Sequence, residues 1–206
     1  MINGLWGKKI GMTQMFSHDN KVIPVTAIDI GTWFVTQIKT EERDGYHALQ
    51  IGCVKERYQG QPFSFDWLKK PKKYFEVLRE VRISPNHNFE VGQEVLLDGV
   101  IGENEVVDVF GTTTGRGFQG VIKRHGFSGG QASHGDQVGR TPGSIGFITH
   151  GGRVMRGKAM PGHMGSRKTV MRNLKVQKVE PESRIVLVKG SIPGKTGSLV
   201  FLRKNG

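Results

Sequence analysis

Cysteine is almost missing from this 206-residue chain, which has Cys53 and no other. One thiol cannot close an internal disulfide or supply a cysteine-based zinc site, so neither can substitute for a packed core. Long apolar runs are also missing. The longest, such as Ile185-Val186-Leu187-Val188, fall far short of the ~20 residues that a membrane-crossing helix needs. The opening residues, MINGLWGKKIGM, have no apolar core or small-residue cleavage site of a secretory signal, and the expected compartment is the cytoplasm. Helical periodicity is scarce and no tandem repeat is visible. Between residues 111 and 168 acids are all but absent, with Asp136 standing alone.

Against that one acid, the same stretch carries Arg116, Lys123, Arg124, Arg140, Arg153, Arg156, Lys158, Arg167 and Lys168. Nine cations less one acid put +8 of the chain's formal +12 here, with His125, His134, His150 and His163 in addition. Glycine recurs every few residues and long apolar side chains are sparse. Such a segment cannot bury enough apolar surface to offset the entropy of ordering its backbone, so an anion outside the chain must order it. Nucleic acid is the first candidate and an anionic membrane the second. Arginine binds phosphate in bidentate fashion and stacks on bases, while glycine lets a backbone approach a ligand closely. Together they suit a compact RNA read by shape and phosphate position. Phe118, Phe127, Ile145, Phe147, Ile148, Met155, Met160 and Met164 supply anchors that a solvated linker lacks. Doubled back, the stretch reaches on the order of 90 Å at ~3.3 Å per residue, and in practice about half that.

The rest of the chain reads as strands. Residues 22–30 (VIPVTAIDI) are β-branched and apolar, with Pro24 favouring an edge or a bulge. Residues 33–39 and 46–51 follow across short turns, the second marked by Asp44-Gly45, and the three predict an antiparallel meander. Residues 54–73 break the rhythm as a polar surface insertion with a short helix near Asp66. Its Phe63, Phe65 and Trp67 either stack on bases or pin the loop to the core, and the second reading is preferred. Residues 74–83 return as an extended segment, then 94–97 and 105–110 as short strands. After the basic stretch come 171–179, 185–188 and 199–202. Many short strands between Gly/Pro turns predict a mainly β barrel or sandwich interrupted by one long insertion. The clearest helical spacing is Phe118, Val121 and Ile122, with Lys123 and Arg124 expected to project away.

Several motifs fail in context. Gly115-Arg-Gly117-Phe-Gln-Gly120 matches a dinucleotide fingerprint, but no βαβ unit surrounds it and no acid follows ~20 residues on. Residues 190–196 (GSIPGKT) resemble a phosphate loop with the first glycine one residue too close and no helix after it. His134, His150 and His163 fit no compact metal-ligand spacing. Ser144 in PGSIG has Pro142 in place of an elbow glycine and no carboxylate nearby to orient a histidine. No enzyme, cofactor or metal is expected. An adaptor whose basic loop docks an acidic protein is the alternative to RNA binding. The candidate RNA contacts are the nine cations and four histidines of 111–168, together with Lys8 and Lys9, which on residue type alone read more readily as surface lysines beside a first strand.

The chain resembles the L3 family of large-subunit ribosomal proteins in its bacterial or organellar form. The resemblance rests on GKKIGMTQMF (7–16), IPVT (23–26), DGYHALQIG (44–52), VDVFGTTTGRGFQGVIKRHGF (107–127), PGSIG (142–146), GKAMPGHMG (157–165) and LVKGSIPG (187–194), in order. Only 53–73 is divergent. The resemblance implies a six-stranded translation-protein-type β-barrel over 1–110 and 169–206, with a small insertion at about 53–83. It implies that the basic domain 111–168 penetrates rRNA towards the peptidyl-transferase centre, the extension proper running roughly from Gly126 to Met164 with its tip at 147–152. It further implies direct binding to 23S-like rRNA early in subunit assembly, contacts with neighbouring ribosomal proteins, and a place on the cytoplasmic ribosome, with an organellar host left open. Some bacterial relatives methylate a glutamine side-chain amide near the tip; that position is Thr149 here, so the modification is not expected.

Overall fold

The computed structural model describes residues 2–17, 19–84, 88–95, 100–146 and 152–204. The chain divides into two compact units, Met1–Thr112 with Lys168–Gly206, and Thr113–Arg167. Among the described residues, no helix is long and apolar enough to cross a membrane.

The first unit is built on six strands: β1 (Gly4–Phe16), β2 (Val22–Asp29), β6 (Val106–Thr112), β9 (Lys168–Glu180), β10 (Ile185–Lys189) and β11 (Leu199–Lys204). They pair antiparallel in the order β1-β11-β6-β9-β10-β2, and β2 pairs back onto β1, so the ladder closes as a barrel without a free edge. Alternation along each strand explains the interior. Val186 and Val188, Val200 and Leu202, and Val107 and Val109 stand two residues apart, and all are fully buried. Close approach of β1 and β11 requires Gly4, where a Cβ would lie 2.0 Å from the Leu202 carbonyl oxygen. Pro24 is accommodated where β10 ends: Lys189 pairs with Val25, the Gly190 amide donates to the Pro24 carbonyl at 2.9 Å, and Gln14 of β1 is the strand residue opposite Pro24.

One irregularity lies close to where the chain passes into the second unit. The β6–β9 register steps from Val107↔Leu174 to Val109↔Met171, so β9 carries an extra residue there. Asn173 takes up the bulge at φ 57°, and its amide donates to Asp108 Oδ1 at 3.1 Å. Asp108, 3% exposed, also pairs with Arg203 at 2.8 Å. A buried carboxylate would be costly unpaired; here it is held by a backbone amide and a guanidinium.

A second sheet in the same unit orders β3 (Trp33–Lys39), β4 (Ala48–Val54) and β5 (Phe75–Arg82) as β3-β4-β5. Trp33, Val35, Leu49, Ile51 and Val81 share one apolar cluster with the barrel's Ile28, Val107 and Leu202. The mainly β reading therefore holds, but the expected meander does not. Residues 22–29 belong to the barrel ladder while 33–39 and 48–54 pair in the other sheet. The chain changes sheet at Gly31, which has φ +63°. The strand expected at 94–97 is not formed at Glu94, which makes only an isolated bridge to Phe34, and Leu96 and Leu97 lie outside the described residues.

The divergent stretch contains a 3-10 turn (Glu56–Tyr58) and two single-turn helices, Asp66–Lys69 and Pro71–Tyr74. Its aromatics pin it down, as preferred: Trp67 is buried, stacks on Tyr74 at 5.5 Å between ring centroids, and packs with Val54 and Phe75. Phe65 stays exposed at the edge of this group. Cys53 is buried, and desolvation pushes its thiol up to about 11. It is a neutral filler at physiological pH, with none of the thiolate character that redox or nucleophilic chemistry needs.

Candidate nucleic-acid interface

The second unit begins where β6 ends and finishes where β9 begins, and these strands are paired up to Thr112↔Lys168. Inside the unit the two arms pair as an antiparallel stem. The Thr113 amide donates to the Arg167 carbonyl at 2.9 Å, Ser166 to Thr113 at 3.1 Å, Arg116 to Met164 at 2.9 Å, and Met164 to Gly117 at 2.9 Å. The pairing continues as β7 (Phe118–Gln119) against β8 (Gly162–His163). Glycine is required at 165, where φ is +78° and a Cβ would stand 2.1 Å from the Thr114 carbonyl oxygen.

Gly165→Ala therefore incurs both a left-handed backbone and a steric clash, at a cost of about 1–3 kcal/mol. The amides of Arg116 and Met164 should then exchange about 5- to 150-fold faster while barrel amides keep their protection. Unchanged exchange at those two amides would remove the stem from this account.

Above the stem a short helix (Val121–His125) is ended by Gly126, whose left-handed φ of 77° lets its amide reach the Ile122 carbonyl. Val121 is buried, as its apolar spacing requires. Two details differ from the sequence reading. Phe118 is not part of the helix: it pairs with His163 in β7–β8 and is 74% exposed. Arg124 does not project away, because its Nη1 donates to the Met160 carbonyl at 2.6 Å, and His125 Nε2 meets the same oxygen at 3.0 Å. A carbonyl only accepts, so this contact requires the proton on Nε2. The helix is thereby tied to the returning arm.

From Gly126 the chain forms a loop closed by the Gly130 amide on the Gly139 carbonyl, 2.7 Å. The unit's one acid is used inside it: Asp136 Oδ1 accepts from the Val138 amide at 2.8 Å. His134 occupies a left-handed turn at φ 65°. Arg116, Lys123, Arg140, Arg153, Arg156, Lys158, His163 and Arg167 are all exposed, as is His134. Lys168 is exposed on β9 in the first unit. His150, Thr149 and most of the expected tip at 147–152 lie outside the described residues. The histidines do not converge: among the described residues, no three His, Cys, Asp or Glu side chains are grouped to hold a metal.

Lys8 and Lys9 are engaged within the first unit. Lys8 Nζ pairs with Glu76 at 2.6 Å. Burial acts to lower its pKa, but the hydrogen bond and charge of Glu76 outweigh this and raise it. Lys9 Nζ donates to the carbonyls of Ile192 and Gly194, both at 2.9 Å, and fastens the loop between β10 and β11. Sequence alone could not separate these anchored lysines from phosphate-facing ones.

Electrostatics divides the units sharply. Among the described residues every ion pair lies outside 113–167, including Lys39–Glu80 at 2.7 Å, Arg184–Glu94 at 2.8 Å and Lys204–Glu105 at 2.5 Å. Within 113–167 eight cations less one acid leave +7, and 22 cations less 17 acids leave +5 on the rest of the chain. Apolar side chains are exposed between those cations, among them Met155 at 65% and Val138 at 48%. Unpaired guanidinium and ammonium groups interleaved with uncovered apolar surface are what a polyanion with stackable faces would complement.

Comparison with known proteins agrees with this chemistry. The sequence model described as Ribosomal protein L3 matches residues 78–184. The large ribosomal subunit protein uL3 of Syntrophotalea carbinolica is 45% identical over 207 residues, covering 100% of this chain and 99% of its own. The protein of the same name from Syntrophus aciditrophicus is 42% identical over 201 residues, covering 97% and 92%, and that of Corynebacterium jeikeium 42% over 205, covering 98% and 94%. The chain belongs to the ribosomal protein L3 family. As a member of the L3 family it is a structural ribosomal protein of the cytoplasm and not an enzyme. The family resemblance read from the seven motifs is correct, and the alignment to the L3 relatives runs nearly end to end.

Proposed function

We propose that this chain is a structural constituent of the large ribosomal subunit that binds 23S-like rRNA directly through residues 113–167. The observation that carries this reading is the contrast in charge pairing. Ion pairs such as Lys8–Glu76, Lys39–Glu80, Arg203–Asp108 and Lys204–Glu105 engage part of the first unit's cations, whereas among the described residues no ion pair engages Arg116, Lys123, Arg140, Arg153, Arg156, Lys158 or Arg167, which are left for an external anion. Phosphates meet that need at a density no folded protein surface matches. The closed barrel is of the translation-protein type and acts as the mount, and the second unit is the extension that enters rRNA towards the peptidyl-transferase centre. It orders early in assembly, when the rRNA supplies the surface the segment cannot bury alone, and neighbouring ribosomal proteins complete its surroundings. His134, His150 and His163 serve as donors to phosphate or as stacking rings, and Lys168 continues the basic track onto β9. Lys8 and Lys9 contribute less, since their ammonium groups already hold Glu76 and the 192–194 carbonyls. Thr149 has no side-chain amide to methylate.

The test is association with native large subunits before and after RNA digestion. The protein should sediment with the subunit and be released when the RNA is fully removed. Retention by the remaining proteins would favour the adaptor reading and overturn this one.

A further inference from the structure

The second unit contains an open cleft of 380 Å³ lined by 126–129, Val138 and 141–143. That volume falls within the ~300–1,000 Å³ of small-molecule sites, and the lining combines three apolar side chains with glycine backbone and two hydroxyls. Phe127 supplies an aromatic face, itself backed by the His125 ring at 6.1 Å between centroids. Val138, 48% exposed, and Pro142 supply the remaining apolar wall. Gly126 and Gly143 leave open space where a Cβ would stand. A flat ring can therefore approach the backbone there.

Polar groups around the cleft are few and placed. The Thr141 hydroxyl donates to the Val138 carbonyl at 2.7 Å, which leaves its lone pairs to accept from an incoming amino group. The Ser128 hydroxyl lines the same cleft. The loop is held in shape before any ligand arrives. Gly130 is bonded to Gly139, Asp136 is bonded to the Val138 amide, and His125 is fixed on the Met160 carbonyl. Lys123 and Arg140 flank the cleft in sequence with exposed charges.

The geometry points to a nucleobase site: the cleft receives one unstacked base of the rRNA, which lies against Phe127, while the surrounding cations hold its flanking phosphates. This rests on the rRNA-binding reading above and adds a specific contact to it. Sequence-selective RNA recognition works largely through bases splayed out of the helix and stacked on aromatic rings. A cleft with one aromatic wall and two hydroxyls, in a unit whose one acid, Asp136, is outnumbered by eight cations, matches that chemistry.

The test uses the full chain and a large-subunit rRNA fragment, with affinity measured over a range of salt. Phe127→Ala should weaken binding by about 5- to 100-fold, the range for losing one stacked base, and Phe127→Trp should restore it. Ser128→Leu, which fills the cleft without removing the ring, should weaken binding to a similar degree. In both weakened variants the slope of log affinity against log salt should be unchanged, because no phosphate contact is lost. Wild-type affinity in Phe127→Ala and Ser128→Leu would overturn the base site while leaving rRNA binding intact. Weakening with a flattened slope would also overturn it, by assigning these residues to placement of the cations. If the wild-type chain itself showed no steep salt dependence, the rRNA-binding reading and the base site would fall together. Far-ultraviolet circular dichroism of each variant separates loss of the site from loss of the fold; if Phe127→Ala unfolds, Ser128→Leu decides alone.

Discussion

Replacing Arg153, Arg156 and Lys158 together by alanine should cost on the order of 10²-fold in rRNA affinity at ~0.1 M salt. The reason is counterion release. Each cation that neutralises a phosphate frees condensed ions and contributes roughly 0.7–0.9 to the slope of log affinity against log salt, so three lost contacts should flatten it by about two to three units. All three side chains are exposed, and among the described residues none forms an ion pair, so their removal breaks no internal contact that would confuse the result. The melting temperature should stay within a degree or two of the wild type, as for other surface changes. A triple variant with the wild-type slope would mean that these cations face solvent in the bound state.

Leu202→Ala should act in the opposite way, on the mount and not on the interface. Leu202 is fully buried, pairs with Leu5 across β1–β11 and with Val109 across β11–β6, and belongs to the core that joins the two sheets of the first unit. Truncating such a side chain removes its transfer free energy and leaves a cavity, together about 2–5 kcal/mol. For a protein of this size that corresponds to a fall in melting temperature of roughly 4–20 °C. Below its melting point the variant should retain the wild-type salt slope, since no phosphate contact is touched. Thermal unfolding and the salt titration together check both halves; a flattened slope in the folded variant would mean that the barrel and the interface are not separable.

These two variants mirror what the sequence made legible. Strand identity was readable wherever β-branched residues alternate, as at Val186 and Val188 or Val107 and Val109, because burial of one face imposes the period. Pro24 and Asp44-Gly45 also marked their positions, since proline and glycine act through local backbone geometry. Partner choice was not readable. Residues 22–29 and 33–39 look alike as strands, and only tertiary contacts assign the first to the barrel and the second to the sheet of Trp33, Leu49 and Val81. The same limit applied to the helix at Val121–His125, whose start is delayed because Phe118 is drawn into pairing with His163 across 45 residues of chain.

The proposed interface was legible as a charge imbalance, because that is a property of composition. Which cations are already committed was not. Arg124 and His125 converge on the Met160 carbonyl, and Lys9 on the carbonyls of Ile192 and Gly194. Backbone acceptors leave no signature in sequence, so a basic side chain used as an internal clamp looks the same as one awaiting phosphate. The cleft at Phe127 was likewise invisible, since it arises from the closure of 130 onto 139 and not from any motif.

Photochemical cross-linking of native large subunits, with the modified peptides identified by mass spectrometry, tests the central claim most directly. RNA cross-links should concentrate in peptides from 113–167, while the barrel strands at 185–189 and 199–204 carry few. An RNA-free 113–167 with cross-links confined to the first unit, or to other proteins, would contradict it.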